Sequence, residues 1–385
     1  MNLHKIILIT LEFPPIVGGI SHHLYEICKH LPKNKVKVIA LPSKGFKKFD
    51  DQQNFPITRL PLPTSWDYKR LFKFFAPFYF MKILIEKETD IILCGQAHHS
   101  LMLPAWLNWR LKGVPYGVFG YGLDLTKPQN RWYRKIFNLL LCNAQLLLAD
   151  SQAAAKIMME LGADQNRIFV VNPTINSKKL ISKVSSKTIR NRYGLGNKKC
   201  IVTIGRLVER KGHDIVLKAM TQILQQIPDL HYLIVGSGPN EISLKKQVSN
   251  MGLEKYVTFT GRVPDDEIGA YYELCDIFVM ISREIPEKGD LEGFGIVYLE
   301  ANYFGKPVVA GRSGGVEDAV VHNKTGLLVD PTKSDEVANA IITLLSNSNF
   351  AKTLGNTGKT RVLNEFSSEK SAKRLFDILS KNITK

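Results

Sequence analysis

The sequence predicts two successive α/β domains, each built on a doubly wound parallel sheet, and three observations carry that reading. The chain has 385 residues, more than one typical hydrophobic core accommodates. Short apolar runs alternate with segments of helical periodicity, the rhythm of βαβ units. That rhythm breaks off once, near residue 180, and then restarts.

In the first half the apolar runs fall at 5–10, 36–41, 57–62, 90–95, 116–120, 146–150 and 168–172, with helical patterns at 20–31, 101–111 and 132–141 between them. Residues 173–199 hold few large apolar side chains and many Lys, Ser and Asn, which predicts an interdomain connection with room for a short helix. Apolar runs resume at 200–205, 231–236, 256–260, 276–281, 307–310 and 326–329, and helices are predicted over 214–226, 266–274, 296–304 and 336–345. The predicted domains are therefore 1–180 and 200–368, joined by 181–199. Open sheets of this kind bind ligands beyond the carboxyl ends of their strands, and two of them facing across a cleft suit a large, two-part ligand.

Composition narrows the class. Hydrophobic residues make up 44% of the chain and charged residues 23%, as in soluble globular proteins. No stretch approaches the ~18 uninterrupted apolar residues of a membrane span. The first residues read as a strand closed by Glu12 and the Pro14-Pro15 pair, not as a leader peptide. Five cysteines at 28, 94, 142, 200 and 275 are odd in number and never spaced C-x-x-C, which argues against a disulfide framework and a zinc site. A cytoplasmic location is expected. Net charge is +17, and it is unevenly spread: residues 1–180 carry 24 Lys or Arg against 12 acids, and residues 181–385 carry 28 against 23. Such asymmetry suggests an anionic partner, and a solubilising basic surface accounts for it equally well. In 66–85, aromatics interleave with Lys69, Arg70, Lys73 and Lys82, the composition either of a segment lying in an anionic membrane interface or of a core helix with a basic edge.

Three motifs carry chemistry. Gly205-Arg206-Leu207-Val208-Glu209-Arg210-Lys211-Gly212 follows an apolar strand and precedes a helix. Arg206 and Lys211 beside a helix N-terminus make an anion site suited to a diphosphate, or else a solvated basic turn. Glu292-Gly293-Phe294-Gly295-Ile296-Val297-Tyr298-Leu299-Glu300 places carboxylates eight residues apart at a glycine-rich helix start. Carboxylate acceptors and approachable N–H donors suit a hydroxyl-rich ligand, and Glu292 also reads as a helix cap, though Glu is a poor one. Pro14-Pro15-Ile16-Val17-Gly18-Gly19 is a glycine pair between the first strand and first long helix, fit for phosphate or for an ordinary βα turn.

Together these resemble the retaining glycosyltransferases of the GT-B fold, specifically glycosyltransferase family 4, and within it the phosphatidylinositol-mannoside mannosyltransferases. Val235-Gly236-Ser237-Gly238-Pro239 and Gly305-Lys306-Pro307-Val308-Val309-Ala310 add to the likeness, which spans nearly the whole chain. The resemblance implies two Rossmann-like domains facing across a cleft, with a last helix, in 369–385, packing back on the first domain. It implies that Arg206 and Lys211 hold the donor diphosphate and that Glu300 binds the ribose hydroxyls. Glu292, with Gly293 and the N–H groups of Phe294 and Gly295, would bind the donor sugar. Gly18 and Gly19 would face phosphate or acceptor, and backbone near Arg262 and Val263 would meet the base. Where many relatives carry a H-G-x-E-like element this chain has Tyr121-Gly122-Leu123-Asp124, so Tyr121 and Asp124 are the acceptor-side candidates in place of a His. His98 and His99 fall at a predicted helix start.

The expected activity is transfer of a hexose, mannose from GDP-mannose, to a lipid-linked or glycan acceptor, with UDP-glucose or a related UDP-sugar as the alternative donor. Asp265 and Asp266, just after Val263, suit guanine, which offers two N–H groups to a carboxylate; either is also a good helix cap. No cofactor or metal is expected, because the chain lacks D-x-D and Arg206 and Lys211 supply positive charge. Peripheral attachment to the inner face of the plasma membrane is the further expectation. A dinucleotide oxidoreductase needs G-x-G-x-x-G, and here Gly236-Ser237-Gly238 is followed by Glu241 at the third glycine position. A nucleic-acid-binding role finds no recognition motif beyond the charge.

Overall fold

The computed structural model describes residues 5–16, 18–32, 34–62, 81, 88–126 and 130–383. The basic-aromatic segment 66–85 thus lies outside the described residues, apart from Met81. The chain divides into two compact units, 1–174 with 368–385 and 175–367.

In the first unit, strands β1 (Ile6–Thr10), β2 (Val36–Ala40), β3 (Ile57–Arg59), β4 (Ile91–Cys94), β5 (Tyr116–Gly120), β6 (Leu146–Ala149) and β7 (Ile168–Val170) form one parallel sheet in the order β3-β2-β1-β4-β5-β6-β7. Strands β1, β4, β5 and β6 are buried along their whole length, as parallel strands covered on both faces must be. The described helices are α1 (Gly19–His30), α2 (Phe46–Asp50), α3 (His99–Lys112), α4 (Gly122–Thr126), α5 (Arg131–Cys142) and α6 (Gln152–Glu160). Side-chain caps set three of their starts: His98 Nδ1 accepts from Ser100 N at 3.2 Å, Asn130 Oδ1 from Tyr133 N at 2.8 Å and Ser151 Oγ from Ala154 N at 3.1 Å.

In the second unit come α7 (Ser186–Arg192), β8 (Lys199–Ile204), α8 (His213–Gln226), β9 (Leu230–Val235), α9 (Glu241–Asn250), β10 (Val257–Gly261), α10 (Ile268–Leu274), β11 (Ile277–Met280), α11 (Ile296–Tyr303), β12 (Val308–Gly311), α12 (Val316–Ala319), β13 (Gly326–Val329), α13 (Ser334–Ser346) and α14 (Ser348–Glu365). The strands again form a parallel sheet, ordered β10-β9-β8-β11-β12-β13. In each sheet the order reverses once, between β1 and β4 and between β8 and β11. These are the switch points at which open α/β sheets leave a crevice for ligand.

The last helix, α15 (Ser368–Asn382), belongs to the first unit. Its Leu375 and Leu379 share a core with Leu24 and Ile27 of α1. Thr174 Oγ1 and Ser368 Oγ meet at 3.1 Å, and His30 Nε2 lies 3.3 Å from Glu369 Oε1. The fold is therefore α/β throughout, with the two doubly wound sheets that the alternating apolar runs predict.

Candidate active site

The loops after β8 and β11 assemble a charged cluster at the second sheet's switch point. The 205–212 loop is pinned from two sides. Leu207 N donates to Ser237 O at 3.1 Å and Asn240 N to Leu207 O at 3.0 Å, which ties it to the turn after β9. At its end, Gly212 has φ +67°, and a Cβ there would stand 1.8 Å from Ile281 O. Only glycine fits that approach, and it brings Lys211 to the end of β11.

Lys211 Nζ donates to Glu292 Oε2 at 2.6 Å, Arg210 Nη1 donates to the same oxygen at 2.7 Å, and Ser282 Oγ donates to it at 3.1 Å. Arg210 Nε also donates to Asp290 Oδ1 at 2.8 Å. Tyr298 Oη donates to Met280 O at 2.9 Å and lies 3.2 Å from Ser282 Oγ, holding that hydroxyl under the carboxylate. Burial alone raises the Glu292 carboxyl's pKa, but Lys211 and Arg210 outweigh it and bring it down to about 2. Burial pushes Lys211 below its usual value, and Glu292 opposes that only in part. For Arg210, burial works against the charge, and Glu292 with Asp290 more than restores it. Glu292 Oε1 accepts nothing among the described residues.

The structure thus joins two predicted site residues, Lys211 and Glu292, in one ion pair. Arg206 stands apart: it is exposed, and its guanidinium makes no hydrogen bond or ion pair among the described residues. Gly295, φ +87°, turns the chain into α11. The amides of Gly293, Phe294 and Gly295 donate to no acceptor among the described residues, while the Phe294 ring is buried 5.9 Å from Phe366. Glu300, on α11, accepts from Tyr272 Oη at 2.6 Å, and burial raises its pKa. Val263 is buried in the core beside exposed Arg262. Asp266 differs from the expectation for guanine. Its carboxylate pairs with Lys183 Nζ at 2.7 Å, and its carbonyl accepts from Lys183 N at 2.8 Å. Neither Asp265 nor Asp266 caps α10, whose cap position is Glu267 without a side-chain bond.

In the first unit Gly18 is extended and Gly19 opens α1, and their amides donate to no acceptor among the described residues. Asp124 is a staple: its Oδ1 accepts from Tyr121 N at 2.8 Å and its Oδ2 from Ala97 N at 2.9 Å. Burial raises its pKa to about 8 against those two N–H bonds. The Tyr121 hydroxyl is buried without a partner among the described residues, next to the His23 ring at 6.0 Å, whose two nitrogens are likewise unpartnered. Burial holds His23 neutral, with a pKa near 3. His99 Nδ1 bonds the Tyr133 hydroxyl. The sequence reading missed Arg210, Ser282, Asp290, Tyr298 and Tyr272. Arg210 had a signal, its place next to Lys211; the others are ordinary residues until the fold brings them together. Among the described residues no three His, Cys, Asp or Glu gather to hold a metal ion.

Comparison with known proteins identifies the family. The model for Glycosyltransferase Family 4 matches residues 17–179, and that for Glycosyl transferases group 1 matches residues 185–361. The chain is 30% identical to the GDP-mannose-dependent alpha-(1-6)-phosphatidylinositol monomannoside mannosyltransferase of Mycobacterium tuberculosis, over 98% of each chain. It is 29% identical to the protein of the same name from Mycolicibacterium smegmatis, over 97% of this chain and 98% of that one. In fold it is similar to Anabaena HepE, crystallised with UDP, with a TM-score of 0.81 and 22% identity over 98% of this chain and 100% of that one. The chain belongs to the family 4 glycosyltransferases and has the GT-B fold.

Proposed function

We propose that this glycosyltransferase moves a mannosyl group from GDP-mannose to a lipid-linked or glycan acceptor of the cell envelope, at the cytoplasmic membrane surface, with retention at the anomeric carbon and no metal ion. The observation that carries the reading is the Arg210–Lys211–Glu292 cluster at the switch point, in a chain whose full-length relatives are named GDP-mannose-dependent mannosyltransferases.

In this reading the cluster divides the work. Glu292 and Asp290 already balance Lys211 and Arg210, so Arg206 is the uncompensated cation for the donor diphosphate, and Lys211 adds its two remaining N–H donors. With a pKa near 2, Glu292 is a carboxylate throughout the working range. It therefore orients sugar hydroxyls through Oε1 and favours positive charge on the ring, and it is no proton donor. The amides of Gly293, Phe294 and Gly295 supply donors at the start of α11. Glu300, steadied by Tyr272, takes the ribose hydroxyls, and backbone at Val263 meets the base. Gly18 and Gly19 offer amides to phosphate or acceptor, and Tyr121 offers its unpartnered hydroxyl on the acceptor side, where Asp124 holds the backbone. The acceptor oxygen forms its bond to the anomeric carbon as the carbon–oxygen bond to phosphate breaks. That bond's electron pair leaves with GDP, and the acceptor proton passes to a donor phosphate oxygen.

A donor screen with GDP- and UDP-sugars, reading nucleotide release in the presence of membrane lipid extract, tests the proposal. GDP-mannose should turn over fastest. Faster release from UDP-glucose or another UDP-sugar would reassign the donor.

A further inference from the structure

α5 ought to bury one face and show water a polar one, and it does not. Phe137, Leu140 and Leu141 enter the core of the first sheet. Yet Trp132, Ile136 and Leu139 are 76%, 40% and 53% exposed. At ~100° per residue these three lie within about 60° of one another, a continuous stripe turned away from the core. Two more exposed apolar side chains lie on elements tied to α5. α3 packs along α5 and ends in Leu111, 71% exposed, and Arg134 of α5 donates to Leu125 O at 3.0 Å, which ties down α4 with Leu123, 41% exposed.

The surroundings are basic. Arg131 and Lys135 are exposed on α5, and Arg110 and Lys112 are exposed at the end of α3. Residues 99–149 contain six Lys or Arg and one acid, Asp124, whose two oxygens are turned to the amides of Tyr121 and Ala97. An exposed apolar stripe with a polar rim marks an interaction surface. Its chemistry selects the partner. A Trp with aliphatic neighbours sits favourably at the boundary of headgroups and acyl chains, and flanking cations meet anionic headgroups. A second copy docked about a twofold axis would instead bring two such basic rims into one interface, a like-charge arrangement.

We propose that α5, with Leu111 and Leu123 at its margins, docks this enzyme on an anionic lipid surface. The inference deepens the membrane element of the proposed function and rests on that element, not on the identity of the donor.

Sedimentation of the full chain with phosphatidylglycerol-containing vesicles and with pure phosphatidylcholine vesicles tests it. The wild type should sediment with the first and much less with the second. The double variant Arg131→Gln/Lys135→Gln should partition roughly 30-fold more weakly, about fivefold for each cation. Trp132→Ser/Leu139→Ser should lose binding to both. All four side chains are on the surface, and melting curves report whether each variant folds; if the apolar pair does not fold, the cation pair decides. Nucleotide release from the donor in detergent, without vesicles, reads the transferase activity separately and should be unchanged in both variants. Wild-type levels of vesicle binding in the cation pair would overturn the proposal while leaving the transferase reading intact. So would a wild type that ignores vesicles, or a dimer in sedimentation velocity that the Trp132→Ser/Leu139→Ser variant dissolves.

Discussion

At the scale of single residues, the two cations predicted to hold the donor diphosphate turn out to be different kinds of group. Arg206 is exposed and touches nothing charged among the described residues, so its guanidinium contributes nothing to the fold that substitution would remove. Arg206→Ala should leave unfolding free energy within ~0.5 kcal/mol while lowering turnover about 100-fold, because charge on the leaving diphosphate loses its free counterion. Lys211→Ala should lower both, since it strips a buried carboxylate of one of its two cations. Denaturant titration beside initial rates separates the cases, and a fully active Arg206→Ala enzyme would remove Arg206 from the site. Glu292 adds a pH signature. Its pKa falls from 4.5 to about 2 on folding, so its contribution to stability is complete above the unfolded value and disappears as pH drops through about 2. That contribution is roughly 3 kcal/mol, less what it costs to keep Lys211 charged in a buried place. The stability gap between wild type and Glu292→Gln should therefore narrow from about pH 5 downward; a gap independent of acid would contradict the pairing. Lys211 and Glu292 were legible because each stood in a recognisable local pattern. Arg210 was passed over because its meaning lies in Asp290 and Glu292, 80 and 82 residues away, and no local pattern reports such partners. Asp266 likewise has a partner that no local pattern reports, since Lys183 reaches it from the connecting segment.

At the scale of elements, all thirteen strands among the described residues were visible, because buried parallel strands are nearly continuous apolar runs. Helices were less legible where their buried face carries no apolar signal. α14 is the clearest case: an 18-residue helix whose buried residues are Leu354, Gly355, Gly358 and Val362. Glycine counts as a helix breaker in sequence, yet here it lets α14 lie close to the turn after α11. A Cβ at position 355 would come within 2.0 Å of Gly305 O, and one at 358 within 2.5 Å of Asn302 Cγ. Propensity and packing thus make opposite forecasts for Gly355→Ala. Helix propensity favours Ala by about 1 kcal/mol, whereas a clash with backbone that cannot rotate away should cost at least ~2 kcal/mol. We expect net destabilisation, seen as a lower urea midpoint with an unchanged slope. A stabilised variant would mean that the α14–α11 contact is looser than the structure has it.

At the scale of the whole molecule, the chemistry must be reconciled with a site that has strong charge but no free nucleophile of the usual kind. Glu292 is the carboxylate best placed to attack a sugar, and it is the one least able to: three donors crowd one oxygen, and its pKa near 2 makes it a weak base and a weak nucleophile. Ser282 donates into the same carboxylate, and so does Lys211 Nζ. A double displacement through an enzyme-bound sugar therefore has no good first step in the second unit. In the proposed reading the cluster stabilises separated charge, with cations at the departing diphosphate and a fixed carboxylate near the ring, which would lower the barrier for a loose transition state. Attack from the face the diphosphate leaves needs only the acceptor hydroxyl and a phosphate oxygen to take its proton. An α-linked donor should then give an α-linked product, resolved by the anomeric coupling in NMR of the purified glycan. Activity should also survive EDTA if Arg206 and Lys211 fill, as proposed, the role a divalent ion would otherwise have. A β-linked product would require attack from the opposite face with a general base, and because Glu292, with a pKa near 2, is too weak a base and Lys211 Nζ is engaged as its donor, that result would displace the cluster from the centre of the mechanism.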